Sequence, residues 1–281
     1  LKAENSEFIG YWYGVTGNGT YHNTYIELVN CTVTGTAGDP DSTDYANMGY
    51  GIYQPQEGTL IIDGGTVTGV SAGIEIRSGK LVVKGGAQIT GTCKTLYIVE
   101  NGSGTTVSGA AVAVSQHSTQ KPIEVTIEDG TLTGLYALYE TDTYATETPS
   151  ENVEISVTGG TLVGEILSEN KAGFISGGNY SELPMAKYFA EGFVGVWDEA
   201  EQAYVTQEGT YVATVDGYGY TTLAEAIAAA DGETVKLIAN VTESVAIAEG
   251  KTVTLDLNGK TLTNVAGKHT IENYGTLTVI G

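Results

Sequence analysis

A short phrase recurs along this chain. It reads GGTVTG from Gly64 to Gly69, NCTVTG from Asn30, GGAQITG from Gly85, GTTVSG from Gly104, DGTLTG from Asp129 and GGTLVG from Gly159, with a shorter echo, GGNYS, from Gly177. Successive phrases begin 34, 21, 19, 25, 30 and 18 residues apart, so the basic unit is near 20 residues and some copies carry insertions. A period of that size belongs to stacked repeats, none of which can bury its apolar face alone.

Residues 58 to 78 give the clearest copy. Leu60 and Ile62 alternate with polar neighbours, Val67 lies between Thr66 and Thr68, and Ile74 and Ile76 flank Glu75. Alternation of period two predicts short strands with one face turned inward. Gly64, Gly65, Gly69 and Gly73 fall between these runs, where the backbone turns. Three strands in about 20 residues, stacked at the roughly 4.8 Å spacing of paired strands, predict an all-β fold: a right-handed parallel β-helix. Seven phrases predict seven turns. Leu81, Val83, Ile89, Leu96 and Ile98 are expected to form one turn, and Val107, Val112 and Val114 the next. A β-sandwich also uses many short strands, but it does not explain a three-strand phrase recurring as a unit. Residues 36–50 and 141–152 are expected insertions, which in solenoids often gather on a binding side.

The pattern changes after Gly178. FVGVWDEAEQAYVTQ predicts a hairpin turning at DEAEQ, and MAKYFAEG a short helical turn before it. In YTTLAEAIAAADGETVKLI, Thr222 and Glu225 have capping-box spacing, Leu223, Ala226, Ile227 and Ala230 share one helical face, and Gly232 ends the helix. The expected layout is a parallel β-helix over 1–180, a hairpin junction over 181–215, and the start of a second β-helix over 216–281, closed by a helix near 221–230. The mid-phrase ending, GTLTVIG, suggests a piece of a longer protein with further β-helix modules.

Charge narrows the partners. Thirty-four acidic residues against 12 basic ones give a net charge of −22, with Arg77 the sole arginine. Such a chain lacks the cations that neutralise phosphates, which argues against nucleic acid. Acidic polysaccharides are disfavoured as well. No run of 18 apolar residues predicts a membrane span. Cys31 and Cys93 fall at different places in their repeats, so two free thiols are expected rather than a disulfide.

YTTLAEAIAAADGETVKLIANVTES followed by GKTVTLDLNGKTLTN resembles the pectate-lyase-like β-helix modules of large cell-surface, adhesin-like proteins of gut Firmicutes. ISGGNYSELPMAKYFAEGFVGVWDEAEQAYV resembles the segment that closes one stack there. The resemblance implies an extracellular location, secreted or on the bacterial surface, and adhesion or structural support. It does not carry chemistry.

The residues themselves do not form a familiar catalytic set. Arg77 in IEIRSGK is expected to form a surface ion pair with Glu75 or an acid of a neighbouring turn. His22, His117 and His269 lack metal-ligand spacing. The Asp clusters and the GHG-like and RIK-like phrases of pectin hydrolases are missing, so no enzyme is expected. A polysaccharide lyase, a glycoside hydrolase and a purely structural stalk are the alternatives. Asp39, Asp41 and Asp44 share an oxygen-rich loop that suits calcium, against the reading of a plain solvated loop. Tyrosine is abundant, at 18. Tyr11, Trp12, Tyr13, Tyr21, Tyr25, Tyr45, Tyr50 and Tyr53 crowd the amino-terminal region. Their flat faces and hydroxyls suit glycans or host proteins, although aromatic contacts between neighbouring strands would also explain them.

Overall fold

A computed structural model describes residues 1–17, 19, 22–41, 48–101, 104–142 and 151–281. It is nearly all β, and its sheets are built mainly from parallel strands. The chain divides into two compact units: Leu1–Glu182 with Trp197–Val205, and Leu183–Val196 with Thr206–Gly281.

In the first unit the chain passes repeatedly through three ladders. The first contains Lys2–Glu4, Thr24–Val29, Gly58–Asp63, Gly79–Lys84, Ile123–Ile127 and Val153–Val157. The second runs through Glu7–Gly10, Thr32–Gly35, Thr66–Gly69 and Gln88–Gly91. The third runs through Tyr13–Thr16, Tyr50–Gln54, Ala72–Ile76 and Ala110–Ser115. The second and third join through the long strand Thr131–Thr141, whose start pairs with Gln88–Thr90 and whose end pairs with Ala110–Ser115. Each pass makes one level.

Register places like on like. Ile26, Leu60, Leu81 and Val125 align in the first ladder. Val33, Val67, Ile89 and Leu132 align in the second, and Ile52, Ile74, Val112 and Leu138 in the third. All twelve are buried. Burying each such side chain is worth about 1.5–3 kcal/mol, so the aliphatic rows expected from period-two alternation are the main cohesive element of this unit.

Glycines mark the corner between the second and third ladders. Gly10, Gly35, Gly69 and Gly91 are aligned in register. A Cβ on them would lie 1.8 to 2.1 Å from the carbonyl oxygens of Tyr13, Tyr50, Ala72 and Ala110 respectively. That approach is the same whether the connection is the short turn of residues 11–12 or 70–71, or the longer passage of 36–49 or 92–109.

One expected turn does not exist. Ile98–Asn101 pairs antiparallel with Gly104–Val107, so the GTTVSG phrase belongs to a hairpin and not to the second ladder. Ile98 is exposed. The level that begins at Gly79 instead completes itself with Ala110–Ser115. Leu96 and Val107 pack with Ala72, Ala110 and Ala113, whose small side chains leave room for them. Cys31 and Cys93 are both buried free thiols, as expected.

The second unit contains the hairpin Ala213–Val215 and Tyr218–Tyr220, turned at Asp216 and Gly217, both at positive φ. Ala213–Val215 runs antiparallel to Thr234–Leu237, after which Thr252–Asp256 and Thr276–Ile280 add parallel strands. The helix Leu223–Ala229 buries Leu223, Ala226 and Ile227, and Ala230 beyond it is buried too. The Thr222 hydroxyl accepts from the Glu225 N–H at 3.2 Å, the capping bond its sequence predicts. Lys251 Nζ closes the other end by donating to the carbonyls of Ala228 and Ala230 at 2.7 and 2.6 Å.

Candidate binding surface

The aromatic residues expected to act together divide among three places. Tyr13 and Tyr50 are register partners in the third ladder, and Tyr53 follows three residues after Tyr50. The Tyr13 ring stacks on Tyr50 at 5.7 Å and on Tyr53 at 5.4 Å between centroids. Tyr11 and Trp12 occupy the short turn before this strand and meet edge to face at 5.0 Å. Tyr11, Trp12 and Tyr13 are 63%, 42% and 39% exposed, so this cluster offers ring surface to solvent. Tyr25 lies instead on the first ladder, where its hydroxyl donates to Glu27 Oε2 at 3.0 Å. Tyr21 and Tyr45 lie outside the described residues.

Beneath the rings is an ion pair. Glu75 aligns with Tyr53 in register. Arg77 Nε donates to Glu75 Oε1 at 2.6 Å, and Arg77 Nη2 donates to Thr106 Oγ1 at 3.0 Å on the neighbouring hairpin. The Arg77 guanidinium lies 5.4 Å from the centre of the Tyr53 ring, a cation–π distance. The partner expected for Arg77 is therefore found, but the pair is not on the surface: the side chains are 3% and 0% exposed. Period two alone assigned Glu75 outward. The hairpin and the tyrosines supply what period two cannot register.

Burial dominates the electrostatics here. It pushes the Glu75 carboxyl above the ordinary carboxylate range against the pull of Arg77, and Glu75 Oε2 is buried without a hydrogen-bond partner. Burial works against the Arg77 charge, yet Glu75 and the adjacent tyrosines hold its pKa above the usual value. Tyr53 is pushed up to about 12, again chiefly by burial, and Tyr50 rises further for the same reason. His117 is lowered by burial and then by Arg77. Its Nδ1 accepts the Thr119 N–H at 3.1 Å. The rings above the pair thus stay neutral and protonated at physiological pH, able to stack and to hydrogen-bond.

The loop expected to suit calcium is described in part. Asp39 Oδ1 accepts the Asp41 N–H at 2.9 Å, and Asp41 pairs with Lys94 at 2.7 Å. Asp44 lies outside the described residues. Among the described residues no group of three or more His, Cys, Asp or Glu side chains could hold a metal ion, and no helix is long and apolar enough to cross a membrane. A cleft opens at the first level, and the described residues that line it, among them Leu1, Val15, His22, Ile26 and Gln56, include no carboxylate or tyrosine.

Set against family models, curated proteins and solved structures, the chain matches none.

Proposed function

We propose that this chain is a non-catalytic protein of the bacterial cell surface, presenting an adhesive face to glycans or proteins outside the cell. Its ladders are read as the faces of a right-handed parallel β-helix, with the second unit as the start of another. The observation that carries this reading is the solvent-facing run Tyr11, Trp12 and Tyr13, the last of them stacked on Tyr50 and Tyr53. Tyrosine and tryptophan lose few side-chain freedoms on binding and combine an apolar face with a polar tip. The lack of catalysis is supported by the enclosure of Glu75 and Arg77, which face each other rather than solvent.

The test is retention of immobilised mucin, host and plant glycans by the purified chain, with bound material analysed by mass spectrometry. Intact glycans are expected, lost when Tyr11, Trp12 and Tyr13 are changed to Ala. Shortened or unsaturated products that vanish with Glu75→Gln would overturn the non-catalytic reading.

A further inference from the structure

We infer that the second ladder carries a binding surface of its own, for a neutral, extended polysaccharide lying along the stack of strands. This rests on the glycan-adhesive reading and adds to it a second surface and a ligand class. Two columns of side chains cover the outward face from the second level onward. Thr32, Thr66, Gln88, Thr131 and Thr161 are aligned in one. Thr34, Thr68, Thr90, Thr133 and Val163 are aligned in the other. The residues between the columns, such as Val67, Ile89 and Leu132, are at most 1% exposed, so the threonines on either side of them face the opposite way.

Threonine is favoured in strands regardless of function, but strand preference alone does not produce this face. The first ladder, built from the same levels, sets Lys80, Lys84, Asp63 and Glu124 on its outward side. From Thr32 to Val163 the ten grid positions carry no charge, in a chain of net charge −22; the charge-free stretch starts at the second level, because Glu7 and Ile9 are the register partners of Thr32 and Thr34 at the first. This face can therefore approach an uncharged partner without desolvating ions, and it has no cation to offer a uronate.

The grid also has a fitting pitch. Neighbouring strands are about 4.8 Å apart and alternate residues along a strand about 6.7 Å apart. Each threonine offers one hydroxyl donor, two acceptor lone pairs and a methyl group. Thr66 donates to Thr32 at a long 3.5 Å, which leaves capacity for a ligand. A pyranose polymer presents the matching alternation of hydroxyl and C–H. Two strand spacings, about 9.6 Å, are close to one disaccharide of an extended chain, so every second sugar meets an equivalent row.

The whole chain would be mixed with insoluble cellulose, mannan and xylan, with polygalacturonate, and with immobilised mucin. Its retention would be compared with that of a Thr34→Val, Thr68→Val, Thr90→Val, Thr133→Val variant, which keeps the branched shape, with Thr68→Lys, and with Tyr13→Ala. Retention on at least one neutral polymer is expected, weakened about tenfold or more in both threonine variants, as the loss of several hydrogen bonds implies, and nearly unchanged in Tyr13→Ala. Unchanged retention of both threonine variants, with loss in Tyr13→Ala, overturns the grid and leaves the aromatic reading intact. No retention on any neutral polymer overturns the grid, and persistent mucin binding would then still support the aromatic reading. A preference for polygalacturonate overturns the ligand class. A dimer that the four valine substitutions abolish would make this face an interface between copies and overturn the proposal.

Discussion

The first ladder keeps its charges in water, whereas the third keeps one pair away from it. On the first, Lys2 pairs with Glu27 at 3.2 Å, Lys84 with Asp63 at 3.4 Å, and Lys80 with Glu124. The lysines are 39% to 60% exposed. On the third, Glu75 and Arg77 meet at 2.6 Å with almost no exposure. Exposed pairs gain little, because water and salt screen them and two long side chains must be held still. A buried pair is different in kind. Its attraction is set against desolvation of both ions, so the intact pair is not a strong source of stability, but breaking it strands a charge.

The largest effect that would sharpen this contrast is expected from Arg77→Met. It leaves Glu75 buried without its cation and should cost about 3–5 kcal/mol in chemical denaturation. A cost near that of an exposed pair would break the comparison. The joint change Glu75→Leu with Arg77→Met should recover most of the loss, since no charge is left behind; a loss equal to the single variant would place the role of the pair elsewhere.

The pH profile is the next test. Because burial raises the folded-state pKa of Glu75 above its ordinary value of 4.5, the neutral acid is the form favoured by folding. Its contribution is fully present below that ordinary value and fades as pH rises through the folded pKa. The Tm of the wild type relative to Glu75→Gln should therefore fall as pH rises through the weakly acidic range, and a flat difference would contradict the assigned direction. The smallest effect is expected from Lys80→Ala, about 0.2–1 kcal/mol and shrinking in high salt.

The sequence made the interior rows visible because Leu60, Val67 and Ile74 each sit at an alternating position in a phrase that recurs with its glycines. The hydrogen bond from Glu225 N–H to Thr222 was visible for a similar reason, being local. The failures came from contacts distant in sequence. GTTVSG imitates a repeat phrase, yet its partner is Ile98–Asn101 across a hairpin. The signal that could have exposed it is the pair of alanines at Ala110 and Ala113, too small for a bare outer face and packed by Leu96 and Val107. Likewise, placing Tyr50 and Tyr53 above Ala72 and Glu75, at equal spacing, would have set a tyrosine beside the acid. Tyr25 shares the composition of its aromatic neighbours but not their ladder, and only register separates it from them.

The glycine corner has a consequence for how such a chain can diversify. The carbonyl approach at Gly35 and Gly91 is the same as at Gly10 and Gly69, although long passages follow the first two and short turns the others. Whatever departs from this corner returns to the same place, so the levels above and below do not register its length. Foreign segments could be spliced there, or lost, while the stack around them stays in step. The invariant part of the molecule and its inventive part meet at a residue with no side chain.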